Sequence, residues 1–303
     1  MRAWVVLLFS VLGCAQVGCA VLPPTSPLTS WERKSVFQPA RYPAGEWEQT
    51  SVLVEDAYFT ASDGVKLHGW YARHPQPLAH AVLLHGNAGN VTLLAESIRL
   101  LNRRHGLSVL ALDYRGFGRS EGKPTEQGVV TDARAARDWL ARKEGIANRD
   151  VMLMGVSLGG GVALQVAEQE PCRGLVLVNT FTSLPDVAQH HVPWLPMSLM
   201  MTMRMNSLEA IRRYEGPLLI SHADADQVIP FEQGQLLFDT ATTKNKVFIR
   251  NEGAGHNDPQ PEAYRVALDQ FIAALPPIST PAAPTNQPPI FSPVAAEPPP
   301  LLR

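Results

Sequence analysis

Between residues 51 and 275 the chain alternates short apolar runs of strand length with longer stretches of helical spacing. "SVLVEDAYFT" and "VKLHGWYA" flank "ASDG", in which Asp63-Gly64 suits a tight turn, so the pair predicts an antiparallel hairpin. "AVLLHG" and "LSVLALDY" are unbroken apolar runs, the pattern of strands buried on both faces, with a helical stretch near 91–104 between them. Glu126 to Ala141 places Val129, Val130, Ala133, Ala136 and Leu140 at helical spacing. "DVMLMG", "GLVLVN", "GPLLISH" and "KVFIRN" are four further strand runs, with helices expected after "VSLGGG" and over 231–240 and 261–275. Strands separated by helices of this length require long crossovers, so the expected architecture is α/β, a mostly parallel sheet flanked by helices.

The ends of the chain read differently. "MRAWVVLLFSVLGCAQ" has one positive residue, Arg2, and then an apolar segment of about ten residues, which suits an export leader and is too short for a membrane span. Residues 1–20 are therefore expected to be a signal segment. Residues 21–50, rich in Pro, Ser and Thr, are expected to be a spacer, 51–275 the folded domain, and the proline-rich 276–303 a disordered tail. The 26 basic and 28 acidic residues form no positive stripe, which excludes nucleic acid as a partner. Of three cysteines only Cys172 lies in the body, so neither a disulfide framework nor a thiolate metal site is expected.

One heptapeptide concentrates chemistry. In "VSLGGGV", residues 156–162, the glycines at 155 and 159 leave room for a sharp strand-to-helix turn with Ser157 at its tip. A serine hydroxyl attacks only when a base removes its proton, and the base must be held by a third group. His256, after the last strand run, is the available base. Asp224 and Asp226, in "SHADADQVIP", are both candidate acids. The backbone N–H of Leu158, at the start of the helix after Ser157, is suited by position and helix dipole to stabilise an oxyanion.

Taken together, "LHGNAGN", "DYRGFGRSEGKPTE", "GVSLGG", "FTSL", "DADQVIPFEQG" and "GAGHND" resemble the α/β-hydrolase superfamily, over about Ala57 to Leu275. They are similar in particular to a branch of serine hydrolases that includes protein depalmitoylases and relatives of the prolyl oligopeptidases. The resemblance implies Ser157 as nucleophile, His256 as general base and Asp226 as the acid. It also implies the backbone N–H of Asn87 as the second oxyanion donor and a cap over the serine from 181 to 214. Ala223 stands where the family usually has glycine. No cofactor and no metal are implied. "VLGC" resembles the lipobox of bacterial lipoproteins, which implies acylation at Cys14, with Cys19 as the alternative, and a membrane-anchored or periplasmic place in the cell envelope.

Several other features invite readings that the residues do not support. Asp113 in "LDYRG" is expected to fix its loop through backbone N–H groups or Arg115. "GFGRSEGK" fails as a phosphate loop because Phe117 stands where GxxxxGK needs glycine. His190-His191 lacks the HExxH spacing of a metal site, and His85 is expected to order the loop after it. The segment "HHVPWLPMSLMMTMRMNSL" holds five of the eight methionines, whose flexible side chains suit an apolar acyl or aryl group beside Ser157. The expectation is a serine hydrolase acting on an ester, thioester or amide of a small or acylated substrate. A peptidase and a non-catalytic envelope lipoprotein remain the alternatives. Ser157 argues against the dehalogenases and epoxide hydrolases of this fold, which use an aspartate.

Overall fold

The computed structural model describes residues 27–48 and 53–279. Eight strands form one sheet: β1 (Glu55–Thr60), β2 (Lys66–Ala72), β3 (Ala79–Leu84), β4 (Leu107–Asp113), β5 (Val151–Val156), β6 (Leu175–Val178), β7 (Leu218–Ala223) and β8 (Lys246–Asn251). Their order across the sheet is β8-β7-β6-β5-β3-β4-β2-β1. β1 and β2 form the expected antiparallel hairpin, β2 runs antiparallel to β4, and all other neighbours are parallel.

The unbroken apolar runs are buried on both faces because successive side chains serve two cores. Val82, Leu110, Leu112, Leu153 and Leu177 point into the larger one, while Leu83, Val109, Ala111, Met154 and Val176 point into the other. Helices α2 (Ala95–Arg103) and α9 (Glu262–Ala273) cover the second face through Ile98, Leu101, Leu268 and Phe271. α3 (Glu126–Glu144) and α4 (Leu158–Ala167) cover the first. α3 begins where Thr125 accepts from the Gly128 N–H and ends at Gly145, whose φ of 66° suits glycine.

The expected cap is built from α5 (Leu184–His191), α6 (Met197–Met200) and the segment up to residue 206. Helix α7 (Ser207–Arg213) packs instead on α4 and on α8 (Phe231–Thr240), as part of the layer that covers the sheet.

The expected spacer over 21–50 differs from what is observed. Residues 27–36 form helix α1, after which Phe37 is buried and Gln38–Pro39 pair in parallel with Ala88–Gly89. A ten-residue helix is marginal alone in water, and this one is held by tertiary bonds. The buried Glu32 carboxylate accepts from the N–H and Oγ1 of Thr202, at 3.1 and 2.6 Å, and from the Met203 N–H at 2.6 Å. The start of the expected tail also packs: the N–H and Oγ of Ser279 donate to Asp150. The leader with Cys14 and Cys19, and residues 280–303, lie outside the described residues.

Candidate functional site

The carboxyl ends of β3, β5, β6, β7 and β8 lie side by side, and the loops leaving them build the site. At the end of β5 the chain turns into α4 within one residue, and Ser157 takes φ 54° and ψ −119°. Such backbone is costly for a side-chain-bearing residue and persists only where its surroundings hold it. Here the Ser157 N–H donates to the Val178 carbonyl at 2.9 Å, and the Ser157 carbonyl accepts from Thr180 Oγ1 at 2.8 Å. The glycines on either side are required by close approach. A Cβ at Gly155 would sit 2.2 Å from the Gly159 carbonyl oxygen, and one at Gly159 would sit 2.1 Å from that of Leu84.

Ser157 meets two of the residues expected beside it. His256 Nε2 is 3.1 Å from Ser157 Oγ, and His256 Nδ1 is 2.6 Å from Asp226 Oδ2. The other Asp226 oxygen accepts from the N–H groups of Val228 and Ile229, at 2.8 and 2.9 Å. Burial opposes ionisation of Asp226, yet the His256 hydrogen bond and these amides together hold its carboxyl below the ordinary value. An acceptor-only carboxylate against Nδ1 fixes the imidazole tautomer that leaves Nε2 free to accept from the serine.

Of the two candidate acids, only Asp226 reaches the histidine. Asp224 instead accepts from Arg250 Nε at 2.9 Å and from the Gly253 N–H at 2.7 Å, tying the ends of β7 and β8 together. His222 braces the loop that carries Asp226. Burial holds its imidazole pKa below the usual value, and its Nε2–H donates to the Ile229 carbonyl at 3.0 Å. Ala223, at the family's glycine position, ends β7 in extended backbone that carries no strain.

Leu158 and Asn87 line the same cavity as Ser157. The Asn87 carbonyl accepts from the Gln38 N–H at 2.8 Å, so the strand segment after α1 fixes the loop that presents the Asn87 amide. The ring of His85 lies 4.6 Å from that of Tyr114 and 5.1 Å from that of Phe117. Its Nδ1–H donates to the Gly86 carbonyl at 2.7 Å and burial lowers its pKa, so it orders the loop as expected.

Two residues of the site were not singled out from the sequence. Asn179, directly after β6, has φ 47°. Its Nδ2 donates to the His256 carbonyl at 2.7 Å and its Oδ1 accepts from the Ala223 N–H at 2.9 Å, joining the histidine loop to the end of β7. An asparagine that ends an apolar strand run was the available signal, since asparagine tolerates the left-handed region. Glu126, in the first turn of α3, was the other. It accepts from the N–H groups of Arg204 and Met205 at 2.9 and 2.5 Å.

Of the two kinds of partner expected for Asp113, backbone N–H groups or Arg115, the structure supplies a backbone N–H. The Asp113 carboxylate accepts from the Val91 N–H at 2.7 Å and lies 3.2 Å from His68 Nδ1. Arg115 is taken by Asp132 and Asp63 instead. The methionine segment does lie over the site. Met197 and Met201 line the cavity with Phe181, Leu184 and Val187, and the cavity measures about 300 Å³ with Ser157 and Asn87 among its polar residues. α1 closes one side through Trp31 and Val36. His191 also lines it and is 2.9 Å from the Val228 carbonyl. A second cleft, of about 490 Å³ between α2 and α9, borders His256 from behind and is not lined by Ser157. Among the described residues no group of His, Cys, Asp and Glu side chains is arranged to hold a metal ion.

Comparison with known proteins agrees with this architecture. A profile of the alpha/beta hydrolase fold matches residues 80–204. The uncharacterized protein Rv2307c of Mycobacterium tuberculosis is 35% identical over 242 residues, covering 79% of this chain and 85% of its own length. The alpha/beta hydrolase domain-containing protein WAV2 of Arabidopsis thaliana is 28% identical over 266 residues, covering 80% and 86%. Among solved structures, an esterase of Pyrococcus furiosus superposes with a TM-score of 0.67 at 21% identity, covering 79% of this chain and 98% of its own. The chain belongs to the alpha/beta-hydrolase family.

Proposed function

We propose that this protein is a serine hydrolase that cleaves a carboxylic ester or thioester whose acyl part is apolar. The observation that carries the reading is the unbroken run of hydrogen-bonding contacts from Asp226 through His256 to Ser157, opening on the apolar cavity. Ser157 Oγ attacks the carbonyl carbon while His256 Nε2 takes its proton. The carbonyl oxygen gains the negative charge and is met by the N–H groups of Leu158 and Asn87. Asp226 keeps Nδ1 protonated and stabilises the imidazolium. Collapse of the tetrahedral intermediate expels the alcohol or thiol, which leaves with the proton held on Nε2. Water then attacks the acyl-enzyme, again deprotonated by His256, and releases the acid and Ser157.

Specificity for the acyl part is supported by the cavity walls. Phe181, Leu184, Val187, Met197 and Met201 offer no hydrogen-bonding side chain to a peptide backbone. A volume of about 300 Å³ lies at the lower end for ligand pockets, roughly 300–1,000 Å³. The test is a chain-length series of p-nitrophenyl esters. kcat/KM is expected to rise from acetate to octanoate; equal values across the series would remove the apolar acyl site, and preferential cleavage of aminoacyl amides would favour a peptidase. Residues 1–20 are proposed to export the chain and hold it at a membrane in the cell envelope, through Cys14 or through the apolar segment itself.

A further inference from the structure

The two elements that wall the acyl cavity, α1 and the cap, also carry exposed side chains that a water-facing surface does not require. Trp31, which lines the cavity, is 58% exposed. In the cap, Trp194 between α5 and α6 is 77% exposed and Leu199 on α6 is 83% exposed, with Met200 beside it. α1 and the cap lie against each other, because the buried Glu32, next to Trp31, accepts from Thr202 and Met203, two and three residues after the end of α6. Exposed apolar clusters of this kind mark surfaces that meet something else.

The composition of the face says what it meets. Two tryptophans with leucine and methionine, flanked on α1 by Arg33 and the exposed Lys34, combine ring side chains suited to a headgroup layer with cations suited to anionic lipid. The chain before α1 favours the same occupant. Its apolar run ends near Cys14, 13 positions before Pro27, so a tether inserted or acylated there reaches at most about 45 Å. α1, which carries Trp31, is the first element after that tether.

We propose that this face, formed by Trp31, Trp194, Leu199 and Met200, docks on a lipid bilayer, so that acyl chains pass from the bilayer directly into the cavity above Ser157. The docking rests on the face and its tether; the passage of substrate rests also on the hydrolase reading above. An acyl chain lodged among Leu184, Met197 and Met201 has its carbonyl in the same cavity that Ser157 lines.

The test uses the full chain with vesicles of phosphatidylglycerol and brominated phosphatidylcholine. Bromine quenches only tryptophans at lipid depth, so Trp194→Phe is expected to lower the bromolipid-quenched part of the tryptophan fluorescence. An unchanged quenched part would overturn the docking. Activity gives a second reading, with Leu199→Glu, a residue outside the cavity. This variant is expected to hydrolyse soluble p-nitrophenyl butyrate at the wild-type rate. It should lose about tenfold or more on p-nitrophenyl palmitate held in the vesicles, since a carboxylate partitions poorly into a lipid interface. Equal rates on the vesicle-held ester would overturn the passage of substrate. If wild type cleaves neither ester the hydrolase reading fails, while the quenching still decides the docking. Self-association that Leu199→Glu abolishes, with no quenching at position 194, would assign the face to a second copy of the chain and overturn the proposal.

Discussion

At the carboxyl ends of β5, β7 and β8 three side chains meet on short loops fixed by neighbouring backbone, whereas the roof over them hangs on two glutamates supplied from far along the chain. Ser157 is held by Val178 and Thr180, and Asp226 by the amides two and three residues after it. The methionine segment has little regular structure of its own. Thr202 and Met203 are held by Glu32, and Arg204 and Met205 by Glu126, while Met205 sits at φ 36°. In the proposed reaction the rim needs a fixed geometry, because proton transfer tolerates little displacement. The roof needs volume and apolar character, and can be assembled from flexible side chains.

The comparison would be broken most severely at the rim. Asp226→Asn is expected to lower kcat/KM for a good ester by about 10³–10⁴-fold, because the amide no longer selects the productive imidazole tautomer. Asp224→Asn, two positions away, removes half of an exposed pair with Arg250 and is expected to change kcat/KM by less than about threefold. Steady-state kinetics on the two variants measures both; similar losses would mean that the acid has been misassigned. In the roof, Glu32→Ala strands three donors. It is expected to destabilise the protein by about 2–4 kcal/mol. KM for octanoate should rise while that for acetate holds, and denaturant titration with kinetics on the two esters checks this. An unchanged stability would show that α1 does not clasp the cap.

A smaller effect sharpens the boundary between the two regions. Asn179 touches neither the cavity nor the proposed reacting atoms, but it positions the His256 loop. Asn179→Ala is expected to lower kcat about tenfold, a change of about 1.4 kcal/mol, with KM nearly unchanged. A rise in KM with kcat intact would place Asn179 with substrate binding instead.

What could be read from the sequence follows the same division. The continuous runs of β3 to β7 announce strands buried on both faces, and the glycines at 155 and 159 announce a turn with no room for a Cβ. Ser157 and His256 stand out because each follows a strand run. Asp226 could not be separated from Asp224 by residue type alone, since the choice depends on which carboxylate the loop turns inward. Asn179 and Glu126 escaped because their partners lie between 44 and 79 positions away. α1 was hidden for a related reason. Its composition reads as a spacer, and what folds it is the bond from Glu32 to residues 170 positions later. Which of its two expected partners Asp113 takes could not be read either, because Asp132 and Asp63 approach Arg115 from other elements and leave Asp113 to a backbone N–H.

The central claim is that Ser157 is a nucleophile activated by His256 and Asp226. The most direct measurement is labelling of the folded protein with a fluorophosphonate, which bonds to a serine Oγ activated in this way and releases fluoride. The account predicts one adduct, located by peptide mass spectrometry on Ser157, formed rapidly by wild type, absent from Ser157→Ala and slowed in Asp226→Asn. Folded wild-type protein that stays unlabelled, or carries the label on another serine, would contradict it.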